Sequence, residues 1–157
     1  VNAIRSASAT NSFISVTEEG KVAMFRTGGN PHCHVILRGG KSPNYDAASV
    51  AACEVELQKA GLTENVMIDC SHGNSNKDHR NQKLVLDEVA QQINDGNKSI
   101  IGVMIESNLE EGNQPIPDDL DDLQYGVSIT DACIDWSTTE KLLREFAGSI
   151  SESLQSR

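Results

Sequence analysis

Three short apolar runs organise the middle of the chain: CHVILRGG (33–40), NVMIDCSH (65–72) and IIGVMIES (100–107). Each is bounded by Gly, Asn or Ser, and each lacks strict alternation. Such runs read as strands buried on both faces, the usual appearance of parallel strands. Between them the apolar period lengthens to that of a helix. Val50, Cys53, Leu57 and Ala60 share one face, and so do Leu86, Val89, Ala90 and Ile93. Gly61 and Gly96 stand where those helices should stop. A third helix is expected from Ser137-Thr138-Thr139-Glu140, a capping-box pattern, with the stripe Leu143, Phe146, Ile150 and Leu154. The first third has a different rhythm. Residues 12–28 alternate around a Glu19-Gly20 turn signal and predict an antiparallel hairpin. The opening VNAIRSASATNS lacks an initial Met and reads like the tail of a helix, as if the chain began in mid-domain.

The order from residue 31 is therefore β-α-β-α-β-α, and each strand run holds a polar residue near its end. Arg38, His72 and Glu106 follow one another at a spacing of 34 residues. In a parallel βα barrel, reactive groups sit at the C-terminal ends of strands on one rim. Three βα units cannot close such a barrel, which usually needs eight strands and roughly 250 residues. The 157 residues fit one domain, either an open α/β sheet or about half of a barrel. A hydrophobic fraction of 38% with only 4% aromatics is lean for a self-contained core and favours the half.

Charge narrows the function classes. A net charge of −10 leaves no electrostatic footprint for nucleic acid or for an anionic membrane. Anionic substrates would have to be held locally, by a few Arg and Lys side chains. No run of 18 apolar residues predicts a membrane span, and the start lacks a signal-peptide pattern. Cys33, Cys53, Cys70 and Cys133 form no CxxC pair, so a cytoplasmic protein with buried thiols is expected.

His72, Glu106 and Asp131 make a nitrogen-and-oxygen donor set drawn from three segments, suited to Mn, Fe, Co or Zn. Arg38, followed by Gly39 and Gly40, places a planar guanidinium beside open backbone N–H groups, a pattern that clamps phosphate or carboxylate. Pro31-His32-Cys33-His34 looks metal-like but reads as packing at a strand start. Lys41 and His79 read as solvated, and so does the acidic loop of Asp118, Asp119, Asp121 and Asp122, which lacks EF-hand spacing.

The strings CHVILRGGKSPNYD, MIDCSHGNSNKDHRNQ, IIGVMIESNLEEGNQ and YGVSITDACIDW closely resemble the C-terminal half of type I 3-deoxy-D-arabino-heptulosonate-7-phosphate (DAHP) synthases. The resemblance runs from about Phe13 to the last helix, with four long motifs in order. It implies a partial (β/α)8 TIM barrel over 1–157, with residues 12–28 as an inserted hairpin and 31–157 as the last three βα units. It implies condensation of phosphoenolpyruvate with D-erythrose 4-phosphate, the first step of the shikimate pathway. It implies a divalent metal on His72, Glu106 and Asp131, with Arg38 on the phosphoenolpyruvate phosphate. Asp131 is also expected at the tetrose hydroxyl, and His72 acts as a ligand before any proton transfer. The family's ligand cysteine, catalytic lysine and KPRT-type motif have no counterpart among these residues, so the chain alone is expected to be inactive or to serve only as a binding or assembly module. Another metal-dependent barrel lyase or aldolase is a third reading. The resemblance further implies a homo-oligomer and an aromatic amino acid effector on the hairpin, at Phe13 and Ser15. Phe25 stands where relatives often carry an aliphatic residue, and Asp135 where they usually carry Gly.

Overall fold

The computed structural model describes residues 1–156. Helix α1 (Asn2–Ser8) leads into strands β1 (Asn11–Val16) and β2 (Val22–Thr27), followed by β3 (Val35–Leu37), α2 (Ala47–Lys59), β4 (Val66–Asp69), α3 (Gln82–Asn94), β5 (Ile100–Met104) and α4 (Trp136–Gln155). The chain is mixed α/β. Strands β3, β4 and β5 form a parallel sheet in sequence order, with Val35 opposite Val66 and Ile68 opposite Val103. Helices α2 and α3 are the crossovers, as parallel strands require.

The strands are shorter than the apolar runs because each run continues past the last ladder bond into the following loop. Burial follows position in the sheet. Central β4 is the most enclosed, with Val66 and Ile68 fully buried on one face and Met67 partly covered on the other. The edge strands β3 and β5 are covered on one side only, and Ile36 and Ile101 are each 51% exposed, against the expectation of full burial. The core gathers Val50, Leu57, Val66, Ile68, Val85, Val89, Ile93, Ile100, Leu142 and Ile150.

The helix stops behave as anticipated. Gly61 (φ +68°) and Gly96 (φ +100°) each follow a C-cap residue in left-handed conformation. Leu62 N–H donates to the Leu57 carbonyl and Gly61 N–H to that of Gln58, which is a Schellman closure, and Asn97 and Gly96 repeat it on α3. Helix α4 departs from expectation at its start and its face. It begins at Trp136, capped by Asp135, whose carboxylate accepts from Thr138 N–H at 2.6 Å, so Ser137 is already helical. Its buried residues are Thr139, Leu142 and Ile150, with Phe146 packed beside them, whereas Leu143 and Leu154 are exposed. Adjacent leucines at 142 and 143 give two candidate stripes, and contact with α3 selects the one containing Leu142.

The hairpin forms with Gly20 at φ +74° in its turn. Six residue pairs run from Asn11↔Thr27 to Val16↔Val22. It is a separate two-stranded sheet, held on one face by Phe13 stacked on Phe25 at 6.0 Å between ring centroids.

Candidate metal and anion site

The C-terminal ends of β3, β4 and β5 open onto a cleft of about 620 Å³. Arg38, Gly39, His72, Glu106 and Asp131 all line it, so the four residues singled out from spacing and donor type meet in one place. Arg38 directly follows β3, His72 lies three residues past β4, and Glu106 two residues past β5.

His72 is aimed by its surroundings. Its backbone sits in the left-handed region at φ +46°, within a tight turn in which Lys77 N–H donates to the His72 carbonyl at 2.9 Å. Its Nδ1 is 2.7 Å from Asp69 Oδ2. Asp69 is buried, and its other oxygen accepts from Ser71 N–H at 2.8 Å. A carboxylate on Nδ1 favours the tautomer protonated there, in which Nε2 offers its lone pair to a cation. Nε2 faces Glu106 Oε1 at 3.4 Å and Asp131 Oδ2 at 3.7 Å.

Glu106 is equally constrained. Ser71 Oγ donates to its Oε2 at 2.6 Å. The buried Gln82 side chain holds its backbone from both sides, donating to the Glu106 carbonyl at 3.0 Å and accepting from its N–H at 2.7 Å. Asp131 is the open member, with its side chain 71% exposed.

The donor atoms of His72, Glu106 and Asp131 lie within 4.8 Å of one another. A neutral imidazole nitrogen and two carboxylate oxygens at that separation suit a divalent cation, which would also relieve the repulsion between the carboxylates. The residues present fit such an ion. Among the described residues this is the one cluster of that kind, and it contains no cysteine. The cysteines are unpaired, and Cys70 alone is fully buried, its thiol pushed up to about 12 chiefly by desolvation.

Arg38 turns an exposed guanidinium to the cleft, and no ion pair or hydrogen bond of that group is found among the described residues. Gly39 (φ +75°) is pressed against Gly73, and a Cβ at Gly39 would lie 2.5 Å from the Gly73 carbonyl carbon. The Gly39-Gly40 step thus serves close packing of two loops as well as open N–H groups.

Several residues fall elsewhere than expected. His79 is not solvated: its side chain is 12% exposed, its Nε2 is 2.8 Å from Glu111 Oε1, and it lines the cleft with Lys77. His32 and His34 are exposed rather than packed, and Cys33 is half-buried. Lys41 and the acidic loop are solvent-facing, as anticipated. Phe13 and Ser15 lie on one face of the hairpin, outside the cleft. Asp69, Ser71, Asn74 and Gln82 were missed. The strings DCSHGNSN and RNQ that hold them were visible, but Ser71, Asn74 and Gln82 find their partners in other segments.

A βα frame with a nitrogen–oxygen donor set and an unpaired guanidinium on one rim defines a class, the α/β proteins whose cleft has the chemistry to hold a divalent cation and an anion. The sequence profile described as DAHP synthetase I family matches residues 1–144. The chain belongs to the DAHP synthetase I family. It is 54% identical over 157 residues to the Tyr-sensitive phospho-2-dehydro-3-deoxyheptonate aldolase of Salmonella typhimurium, covering 100% of this chain and 44% of that one. It is 51% identical over 150 residues to the Phe-sensitive protein of Escherichia coli K12, covering 96% and 43%. The solved phospho-2-dehydro-3-deoxyheptonate aldolase of Francisella tularensis superposes with a TM-score of 0.85 at 46% identity, over 96% of this chain and 43% of that one. The chain thus spans less than half the length of these relatives.

Proposed function

We propose that this chain supplies the last three βα units, residues 31–157, and the inserted hairpin, residues 12–28, of a (β/α)8 barrel that acts as a DAHP synthase. The reaction joins C3 of phosphoenolpyruvate to the aldehyde carbon of erythrose 4-phosphate, adds water at C2 and releases inorganic phosphate. The observation that carries the proposal is the convergence of His72, Glu106 and Asp131 donor atoms within 4.8 Å, on a cleft shared with the unpaired guanidinium of Arg38, in a member of this family.

His72 Nε2, Glu106 Oε1 and Asp131 Oδ2 would hold a divalent ion such as Mn, Fe, Co or Zn. When bound, that ion supplies Lewis acidity toward the aldehyde oxygen. The protein's own groups do the rest. Asp69 keeps the Nδ1 proton on His72, so the imidazole presents a lone pair and acts as a ligand rather than as an acid. Arg38 grips the phosphoenolpyruvate phosphate, with the Gly39-Gly40 backbone leaving room for it, and so fixes one reactant before the second arrives. Positioning of this kind is a large part of rate acceleration in bimolecular reactions. Asp131, the exposed ligand, is free on its outer side to accept from a tetrose hydroxyl.

The Tyr-sensitive and Phe-sensitive relatives support an aromatic amino acid effector, for which Phe13 and Ser15 on the hairpin are candidates. The exposed edge residues Ile36 and Ile101 support completion of the sheet by further strands. We place the complete protein in the cytoplasm as a homo-oligomer. No helix among the described residues is long and apolar enough to cross a membrane.

The test is phosphate release from phosphoenolpyruvate by the full-length protein. It should require erythrose 4-phosphate, disappear with a chelator and return with Mn(II). Release that ignores the tetrose, or none at all from a folded metal-loaded protein, overturns the enzyme reading and leaves a binding or assembly module.

A further inference from the structure

The distance between the anion clamp and the metal-ligand trio is set by contacts that lie beneath the cleft. Arg38 ends β3 and His72 follows β4, so their relative placement depends on how two separate loops are joined. The joint is Asn74, a buried side chain with every kind of hydrogen-bonding atom in use. Its Nδ2 donates to the Leu37 carbonyl at 3.0 Å and to the Asp69 carbonyl at 2.8 Å, the last carbonyls of β3 and β4. Its Oδ1 accepts from Asn44 N–H at 2.9 Å. Asn44 Oδ1 in turn accepts from Gly39 N–H at 2.7 Å. Two amide side chains therefore connect the residue before Arg38, the residue after it and the carboxylate residue that aims His72.

We propose that Asn74, working with Asn44, is a positioning residue that sets the register between Arg38 and the His72 site and thereby the affinity for the phosphate-bearing substrate. The proposal rests on the DAHP synthase reading for the identity of that substrate. It separates two functions of the rim. The metal ligands keep their own supports when Asn74 is lost, because Asp69 still holds His72, and Ser71 and Gln82 still hold Glu106. Between the Arg38 and His72 loops, the Gly73 N–H to Arg38 carbonyl bond, at 3.1 Å, and the Gly39–Gly73 backbone packing then remain. Loss of Asn74 should then loosen the clamp and spare the metal site.

The experiment uses the full-length protein and three variants, Asn74→Ala, Asn74→Asp and Asn44→Ala. Binding of Mn(II) alone and of phosphoenolpyruvate to the Mn(II)-loaded protein is measured by calorimetry, alongside kcat and KM. Asn74→Ala should weaken phosphoenolpyruvate about tenfold in both Kd and KM, while Mn(II) affinity stays within about twofold. Asn44→Ala, which removes the side-chain acceptor of Gly39 N–H and leaves the Asn44 backbone N–H on Asn74 Oδ1, should move the same way by a smaller factor. It keeps the test open if Asn74→Ala does not fold. Asn74→Asp keeps the acceptor but loses both donations, so it should not rescue. Unchanged phosphoenolpyruvate affinity in the folded variants, or a parallel loss of Mn(II) affinity, overturns the proposal. A parent that binds phosphoenolpyruvate without turning it over sinks the enzyme reading and still decides this one. A parent that does not bind it at all sinks both.

Discussion

The cleft rim and the β1–β2 hairpin are built on opposite principles. At the rim the supporting side chains bond across segments: Asn74 reaches back to β3, Gln82 reaches forward to Glu106, and Ser71 joins β4 to β5. The hairpin relies on its own ladder and one aromatic stack, and Ile14, Val22 and Met24 are all more than 70% exposed. A site held by cross-segment bonds keeps its geometry from within, whereas an apolar two-stranded ribbon is marginal until something covers it. On the proposed function, rim substitutions should act on chemistry directly, and hairpin substitutions on regulation and assembly.

The strongest way to break that contrast is His72→Ala in the full-length protein. Removal of the central ligand should cut kcat/KM by at least about 100-fold and abolish stoichiometric Mn(II) binding, read by calorimetry. Asp69→Asn tests the support behind it. The side chain keeps its shape but no longer favours the Nδ1 proton, and Mn(II) affinity should fall by about 10- to 100-fold. Gly39→Ala should cost about 1–3 kcal/mol in denaturant melts, since the new methyl meets Gly73 backbone at 2.5 Å in a left-handed conformation. Phe13→Ala should leave kcat and Mn(II) affinity within about twofold while weakening inhibition by whichever of phenylalanine or tyrosine regulates the parent. A comparable fall in kcat would erase the distinction between the two regions.

The smallest expected effect concerns Asp135, the cap residue of α4. Hydrogen bonds from Thr138 and Ser137 hold its carboxyl below the usual carboxylate range. A depressed folded-state value means that the cap stabilises fully above the unfolded carboxyl value and is lost as pH falls through the folded one. Asp135→Asn should therefore lower Tm slightly at pH 7, and the gap from the parent should close below about pH 4. A gap that stays constant as pH falls from about 5 to about 2 would show that charge is not what the cap contributes.

The chain pattern revealed the frame of the site and not its supports. Arg38, His72 and Glu106 were legible because strand ends recur at a fixed spacing, and Asp131 as the oxygen donor from a third segment that completes the set with His72 and Glu106. Asp69, Asn74 and Gln82 were opaque because a buried polar residue is explained only by partners far away in the chain. His79 was misjudged for the same reason: among Lys77, Asp78 and Arg80 it looks solvated until Glu111 arrives from 32 residues downstream. The face of α4 was ambiguous because helical periodicity alone does not choose between Leu142 and Leu143. Asp135 stood out in the sequence only through the resemblance, and the fold uses it to start α4.

The most direct test of the rim as a metal and phosphate site is anomalous diffraction from crystals of the full-length protein grown with Mn(II) and phosphoenolpyruvate. The account predicts one strong Mn peak about 2.0–2.3 Å from His72 Nε2 and from a carboxylate oxygen of both Glu106 and Asp131, with the phosphate on the Arg38 guanidinium. A peak away from His72, or phosphoenolpyruvate bound with Arg38 turned to solvent, would contradict it.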